Sequence, residues 1–182
     1  MQAVLSLWVD RLETPIGRML VVADEEGNLR ATFWTEKDRG MEAFLRRHYA
    51  GLRVEFAEAR DLHGLTAAVG RYFAGQVHAI DDLPVKTAGT EFQRTVWRAL
   101  REIPCGTTIS YGELARRIGR PDAVRAVGLA NGANPVGVVV PCHRVIGANG
   151  SRTGYGGGVE RKQWLLDHER TGKPGPQIAD RC

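Results

Sequence analysis

Thr90-Glu91-Phe92-Gln93 and Ser110-Tyr111-Gly112-Glu113 both have the form of a capping box, a hydroxyl residue followed three positions later by Glu or Gln. Such a pair fixes where two helices must begin, and with them the texture of the second half of this 182-residue chain. The first box opens a helix whose Phe92, Val96, Trp97 and Leu100 form one apolar stripe, ended by Pro104-Cys105-Gly106. The second opens a helix running through Ile118. A tight turn at Gly119-Arg120-Pro121-Asp122 follows, then a further helix over 123–131. Two short helices about a glycine-containing turn make a helix-turn-helix pattern, which many proteins that bind no nucleic acid also contain.

The first third is written with a different period. Strand-like segments at 5–12, 19–22 and 29–34 are separated by Thr14-Pro15-Ile16-Gly17 and Glu25-Glu26-Gly27-Asn28, both with turn chemistry. Met41, Phe44, Leu45 and Tyr49 then fall at helical spacing, a short strand follows near 54–56, and a helix over 62–73 stops at Gly75. Residues 76–89 lack strong periodicity and read as a connector. The expected class is α/β (α+β). A small N-terminal unit, 1–85, has a structural role; a mainly helical unit, 86–170, follows; 171–182 form a flexible tail.

Charge divides at the same place. Residues 1–85 hold ten Lys/Arg against thirteen Asp/Glu, a net −3, whereas 86–182 hold fifteen against eight, a net +7. A basic second half suits a polyanionic partner, or is a solvated basic surface. No apolar run has membrane-spanning length and no secretory leader is present, so a cytoplasmic chain without membrane contact is expected. Three cysteines without a C-x-x-C pair fit a reducing compartment, and five scattered histidines offer no zinc-ligand spacing.

The chemistry concentrates after Pro135, where Val138–Val140 leads into Pro141-Cys142-His143-Arg144. Cys142 is either a small core residue or a nucleophile beside a base. Cys105 has no adjacent acid or base and reads as structural. Upstream, "AVRAVGLANG" carries one long charged side chain, Arg125, among Ala, Val and Gly, a face built for close approach to another helix or to a nucleic-acid backbone. Downstream, "GANGSRTGYGGG" lacks the phosphate-binding glycine signatures and suits a backbone closing over a small planar object.

In this order and spacing, "SYGELA", "AVRAVG", "NPVGVVVPCHRV", "GYGGG" and "WLLDHE" resemble the O6-alkylguanine-DNA alkyltransferases. The resemblance spans 1–170 and is densest over 90–169. It implies a ribonuclease H-like N-terminal unit and a winged-helix-like second unit. It also implies direct damage reversal, with irreversible, stoichiometric transfer of an alkyl group from O6-alkylguanine, and O4-alkylthymine, to Cys142. His143 would take the thiol proton through a water, oriented by Glu169. Tyr111 would donate to the base ring, Asn134 would brace the turn carrying the cysteine, and the main chain of Cys142 and Val145 would read the guanine edge. Tyr155, with Gly156, would shape the pocket. Arg125, Ala126, Gly128 and Lys162 complete the expected substrate and DNA contacts.

A helix-turn-helix alone suggests the major groove. The resemblance instead implies entry into the minor groove of duplex DNA, with Arg125 filling the gap left by an extruded base. It implies no cofactor and a monomer. The zinc cluster of mammalian relatives is missing from the sequence, and Gly156 stands where some relatives have Ser or Ala, leaving room for larger adducts. Cys182 is expected to be exposed and incidental. Three rivals remain: a binding-only alkyltransferase-like protein, which would lack the cysteine, a helix-turn-helix regulator, and a cysteine hydrolase that turns over.

Overall fold

Strand segments separated by tight turns build the first half as a four-stranded sheet. In the computed structural model, which describes residues 3–35, 38–152 and 154–178, β1 (Val4–Thr14), β2 (Gly17–Asp24) and β3 (Leu29–Trp34) form consecutive antiparallel hairpins. After α1 (Asp38–His48), β4 (Arg53–Glu58) pairs parallel to β1, so the order is β3-β2-β1-β4. β2 is buried on both faces. Leu20 and Val22 face a cluster containing Met41 and Leu45 of α1 and Tyr49 just after it, while Met19, Val21 and Ala23 face the main core. That main core reaches from the sheet through α2 (Leu65–Phe73) to Trp164 and Leu165, so the two halves share one apolar interior.

Turn chemistry sets the boundaries more sharply than periodicity does. The helix expected over 62–73 begins at Leu65, because Asp61, His63 and Gly64 all take left-handed backbone angles and Leu62–Gly64 is only a 3-10 turn. His63 is held there by a 2.8 Å hydrogen bond between its Nε2 and the Glu25 carbonyl. The chain then ends α2 with Gly75 at φ 108°.

The second half contains α3 (Glu91–Arg101), β5 (Ile109–Ser110), α4 (Tyr111–Arg117), α5 (Val124–Gly132), β6 (Val145–Ile146) and α6 (Val159–Thr171). The first capping box closes in both directions: Gln93 N donates to Thr90 Oγ1, and Thr90 N donates to Gln93 Oε1. The second is half-formed. Ser110 Oγ accepts from Glu113 N, but the Glu113 carboxylate is engaged by Arg116 and Arg117. One-turn neighbours of opposite charge outcompete the backward bond. The helix read over 123–131 starts one residue later.

Edge strand β3 is covered. Leu29 N donates to the Pro84 carbonyl, Thr32 N to the Pro135 carbonyl, and Thr32 Oγ1 to the Gly137 carbonyl at 2.9 Å. The sheet therefore holds the segment just ahead of Cys142. Residues 173–178, assigned above to a free tail, make specific contacts: Trp164 Nε1 donates to Pro176 O, and Ile178 N donates to Pro15 O. The call on Cys182 lies outside the described residues.

Because both bonds of the Thr90 box are exposed and local, Thr90→Ala tests them cleanly. It is expected to lower the unfolding free energy by about 1 kcal/mol, read from the urea midpoint. A midpoint equal to that of the parent would mean the box contributes nothing.

Candidate active site

The β-branched run before Cys142 is a buried turn. Val138 has φ 72°, a rare conformation for a β-branched residue, and Val140 N donates back to Val136 O at 2.9 Å. Asn134 braces the turn from inside: its Nδ2 donates to Val140 O at 2.8 Å and its Oδ1 accepts from Val136 N at 3.0 Å. Cys142–Arg144 then forms one 3-10 turn, with all three residues buried. The side chains of Cys142, His143 and Arg144 leave this turn, which the Asn134 amide braces locally.

His143 and Glu169 are brought together across 26 positions. Their side chains are fully buried, with His143 Nε2 2.8 Å from Glu169 Oε1. A carboxylate only accepts, so Nε2 carries the proton and Nδ1 is left as the basic nitrogen. Nδ1 is buried and has no hydrogen-bond partner among the described residues. The same carboxylate takes Tyr72 Oη at 2.9 Å, and Arg144 Nε and Nη2 in a fork, each at 2.9 Å. Burial would push the Glu169 carboxyl up, but His143 and Arg144 outweigh it and hold the group well below the usual carboxylate range.

Burial raises the Cys142 thiol, while the Asn134 amide, the Lys162 ammonium and nearby backbone groups pull it back. The thiol thus rests protonated beside a candidate base. Cys105 is pushed up to about 11, first by burial and then by the Glu169 charge, which makes it a poor nucleophile.

A cavity of about 200 Å³ opens at Cys142. Asn131, Asn134, Gly137 and Val138 line one side and Gly154–Gly157 another, while Met19, Thr32, Phe33 and Trp34 come from the sheet. The N-terminal half, which offered no legible chemistry, supplies this last wall. Gly157 is required by close approach: a Cβ there would lie 2.6 Å from Tyr155 Cε1 and 2.7 Å from Trp34 Nε1. Gly156 faces open space, with nothing within 4 Å of a Cβ. Burial, with the Cys142 charge second, raises the Tyr111 and Tyr155 hydroxyls, so both keep their protons.

The remaining expected residues fall in two places. Lys162 is fully buried and its Nζ donates to Val145 O at 2.6 Å, so it reaches the pocket only through that carbonyl and the field at Cys142. Val145 is also buried. Arg125 and Ala126 are exposed on α5, with Gly128 half-buried beside them and Leu129 71% exposed. Sequence reasoning gave no role to Arg144, Tyr72 or Asn131. Arg144 was visible directly behind the Cys-His pair, whereas Tyr72 carries no local signal. Among the described residues no cluster of three or more His, Cys, Asp or Glu side chains could hold a metal ion, and no helix is long and apolar enough to cross a membrane.

Residues 91–171, which carry the helix-turn-helix and the buried Cys142 and His143, match the family model described as 6-O-methylguanine DNA methyltransferase, DNA binding domain. The chain is 51% identical to the methylated-DNA–protein-cysteine methyltransferase of Shigella flexneri over 165 residues, covering 91% of this chain and 96% of that protein. It is 44% identical to the protein of the same name from Methanosarcina acetivorans, over 86% of this chain and 94% of the relative. Among solved structures, Mycobacterium tuberculosis OGT in complex with DNA superposes with a TM-score of 0.72 at 38% identity, covering 93% of this chain and 95% of that one. The chain belongs to the methylated-DNA–protein-cysteine methyltransferase family.

The Glu169 cluster predicts a sign for acid stability. A carboxyl whose folded pKa is depressed stabilises the fold fully above its unfolded value, near 4.5, and loses that contribution as pH falls below it. Glu169→Gln should cost about 3–5 kcal/mol at neutral pH by stranding Arg144, and should show a shallower loss of stability between pH 6 and 3 than the parent. Parallel pH profiles would overturn the assignment of this ionised cluster.

Proposed function

We propose that this protein repairs alkylated DNA directly, moving the alkyl group from O6-alkylguanine onto Sγ of Cys142. The observation that carries this reading is the buried Cys142–His143–Glu169 arrangement, in which Glu169 holds the Nε2 proton and leaves Nδ1 as acceptor. His143 takes the thiol proton through a water as Sγ attacks the alkyl carbon. The carbon–O6 bond breaks, its electron pair goes to the purine, and Tyr111, still protonated, donates to the base ring. The proton given up by the thiol balances the one guanine regains. The products are a neutral thioether and ordinary guanine, and the protein acts once.

The O6 atom of a stacked guanine cannot reach a thiol lining a cavity inside the protein, so the nucleotide leaves the duplex. α5 is the element that meets DNA: its exposed face carries Arg125 among small and apolar residues, and Arg125 makes no hydrogen bond or ion pair with the described residues. That narrow face enters the minor groove, and Arg125 occupies the vacated stack. The open space at Gly156 admits adducts larger than methyl. Asn134 and the Val138 turn hold Sγ in line, and Tyr155 with its glycine loop closes over the base.

Two experiments test this reading. Cys142→Ser should bind alkylated duplex and transfer nothing, while the parent gains one alkyl group on the peptide containing Cys142. A burst equal to the protein followed by a flat line is expected, and sustained turnover or label on Cys105 would sink the mechanism. Arg125→Ala should slow repair of duplex lesions by about tenfold or more, since unstacking costs a few kcal/mol. It should leave reaction with free O6-benzylguanine much less affected, and equal losses would assign Arg125 to the pocket or the fold.

A further inference from the structure

Leu129 is the most exposed large apolar side chain among the described residues, at 71%. It follows Arg125 by one helical turn, so the two share the outer face of α5. Their neighbours on that face are Ala126, Gly128 and Gly132. A single exposed leucine is ordinary on a protein surface. This one stands beside Arg125 on the helix assigned above to the minor groove, and that position gives it a partner.

The groove decides what the leucine meets. A minor groove about 6 Å wide is narrower than a helix with its side chains, about 10–12 Å across. The helix axis therefore stays outside, and the side chains that stand out from small neighbours are the ones that reach base edges. Arg125 is one and Leu129 is the other. Residues one turn apart are separated by about 6 Å along the axis, close to two base-pair rises of about 3.4 Å. With Arg125 in the vacated stack, Leu129 meets a pair within two steps of the lesion. An A·T pair shows acceptors alone there, whereas the 2-amino group of guanine projects from a G·C pair and carries a donor. Both kinds of pair lose water from their acceptors under the leucine, so that loss cancels. The amino group does not cancel: it lifts the leucine off the floor and loses water for an N–H that gains no partner. We propose that Leu129 makes repair depend on the sequence beside the lesion, favouring neighbours without a minor-groove amino group. This rests on the minor-groove reading above and adds a discrimination that Arg125 and the thiol pocket do not supply.

The test measures single-turnover transfer, below saturation, from duplexes with one O6-methylguanine and the two pairs on each side set as G·C, inosine·C or 7-deazaguanine·C. Inosine lacks only the 2-amino group, and 7-deazaguanine is altered only at its major-groove edge. The parent should react faster with inosine flanks than with guanine flanks by about fivefold or more. Leu129→Ala should lower that ratio by about threefold or more. Leu129→Gln, whose amide accepts from an amino group, should bring it below the alanine value. Inosine weakens the duplex equally for every variant, so the change in ratio is the decisive reading, and a common loss of rate leaves it untouched. A parent ratio of one, or a ratio unchanged by Leu129→Ala, overturns the proposal. A response to 7-deazaguanine but not to inosine overturns the minor-groove reading as well. Absence of transfer from every duplex would instead overturn the alkyl-transfer reading.

Discussion

The buried carboxylate of Glu169 ties together three separate parts of the chain. Tyr72 arrives from α2, His143 and Arg144 from the 3-10 turn, and Glu169 from α6, all within 2.9 Å hydrogen bonds. Burying a lone carboxylate would cost several kcal/mol, so this one exists only because charged and neutral donors surround it. Arg144 has a particular part in that balance. It supplies a permanent counter-charge, and its Nη1 is anchored on the Ile103 carbonyl at 2.6 Å. Arg144 and His143 together hold the buried Glu169 carboxylate ionised.

The rest of the site follows from holding that cluster still. The strained turn at Val138 is retained because Asn134 bonds both its flanks and Thr32 grips it from the edge of the sheet. On the other side, Arg161 stacks 4.3 Å over Trp34 and donates to the carbonyls of Ile16 and Gly157, pinning the glycine loop. The sheet thus does more than support a helical domain. It supplies one wall of the cavity and fixes both segments that flank the thiol.

The same packing explains why one of the expected contacts, Lys162, touches the site only through its charge. Lys162 is enclosed against Val145 O, so a phosphate has no access to it, and its charge is felt at Cys142 instead. The exposed side of α5, by contrast, makes no salt bridge among the described residues: Arg125 and Leu129, one helical turn apart, stand out from small residues. The molecule is polar and crowded around Cys142, and bare on the outer side of α5.

Local signals in the chain settled what local physics controls. The Thr90 box, the stops at Gly75 and Gly119, the turns that separate β1 to β3 and the Pro-Cys-His-Arg tetrapeptide each carry their meaning within a few residues. The family, and with it the roles expected of Cys142, His143 and Glu169, was legible because five motifs stand in order. What stayed hidden depends on contacts between distant residues. The late start of α2 follows from His63 reaching Glu25, and the opened second box from Glu113 meeting Arg116 and Arg117. Tyr72 meets Glu169 across 97 positions, and Trp34 meets the glycine loop only after the sheet docks. Whether Leu129 packs inside the fold or stands on the outer face of α5 cannot be read from its neighbours in sequence, because burial is a property of the packed whole.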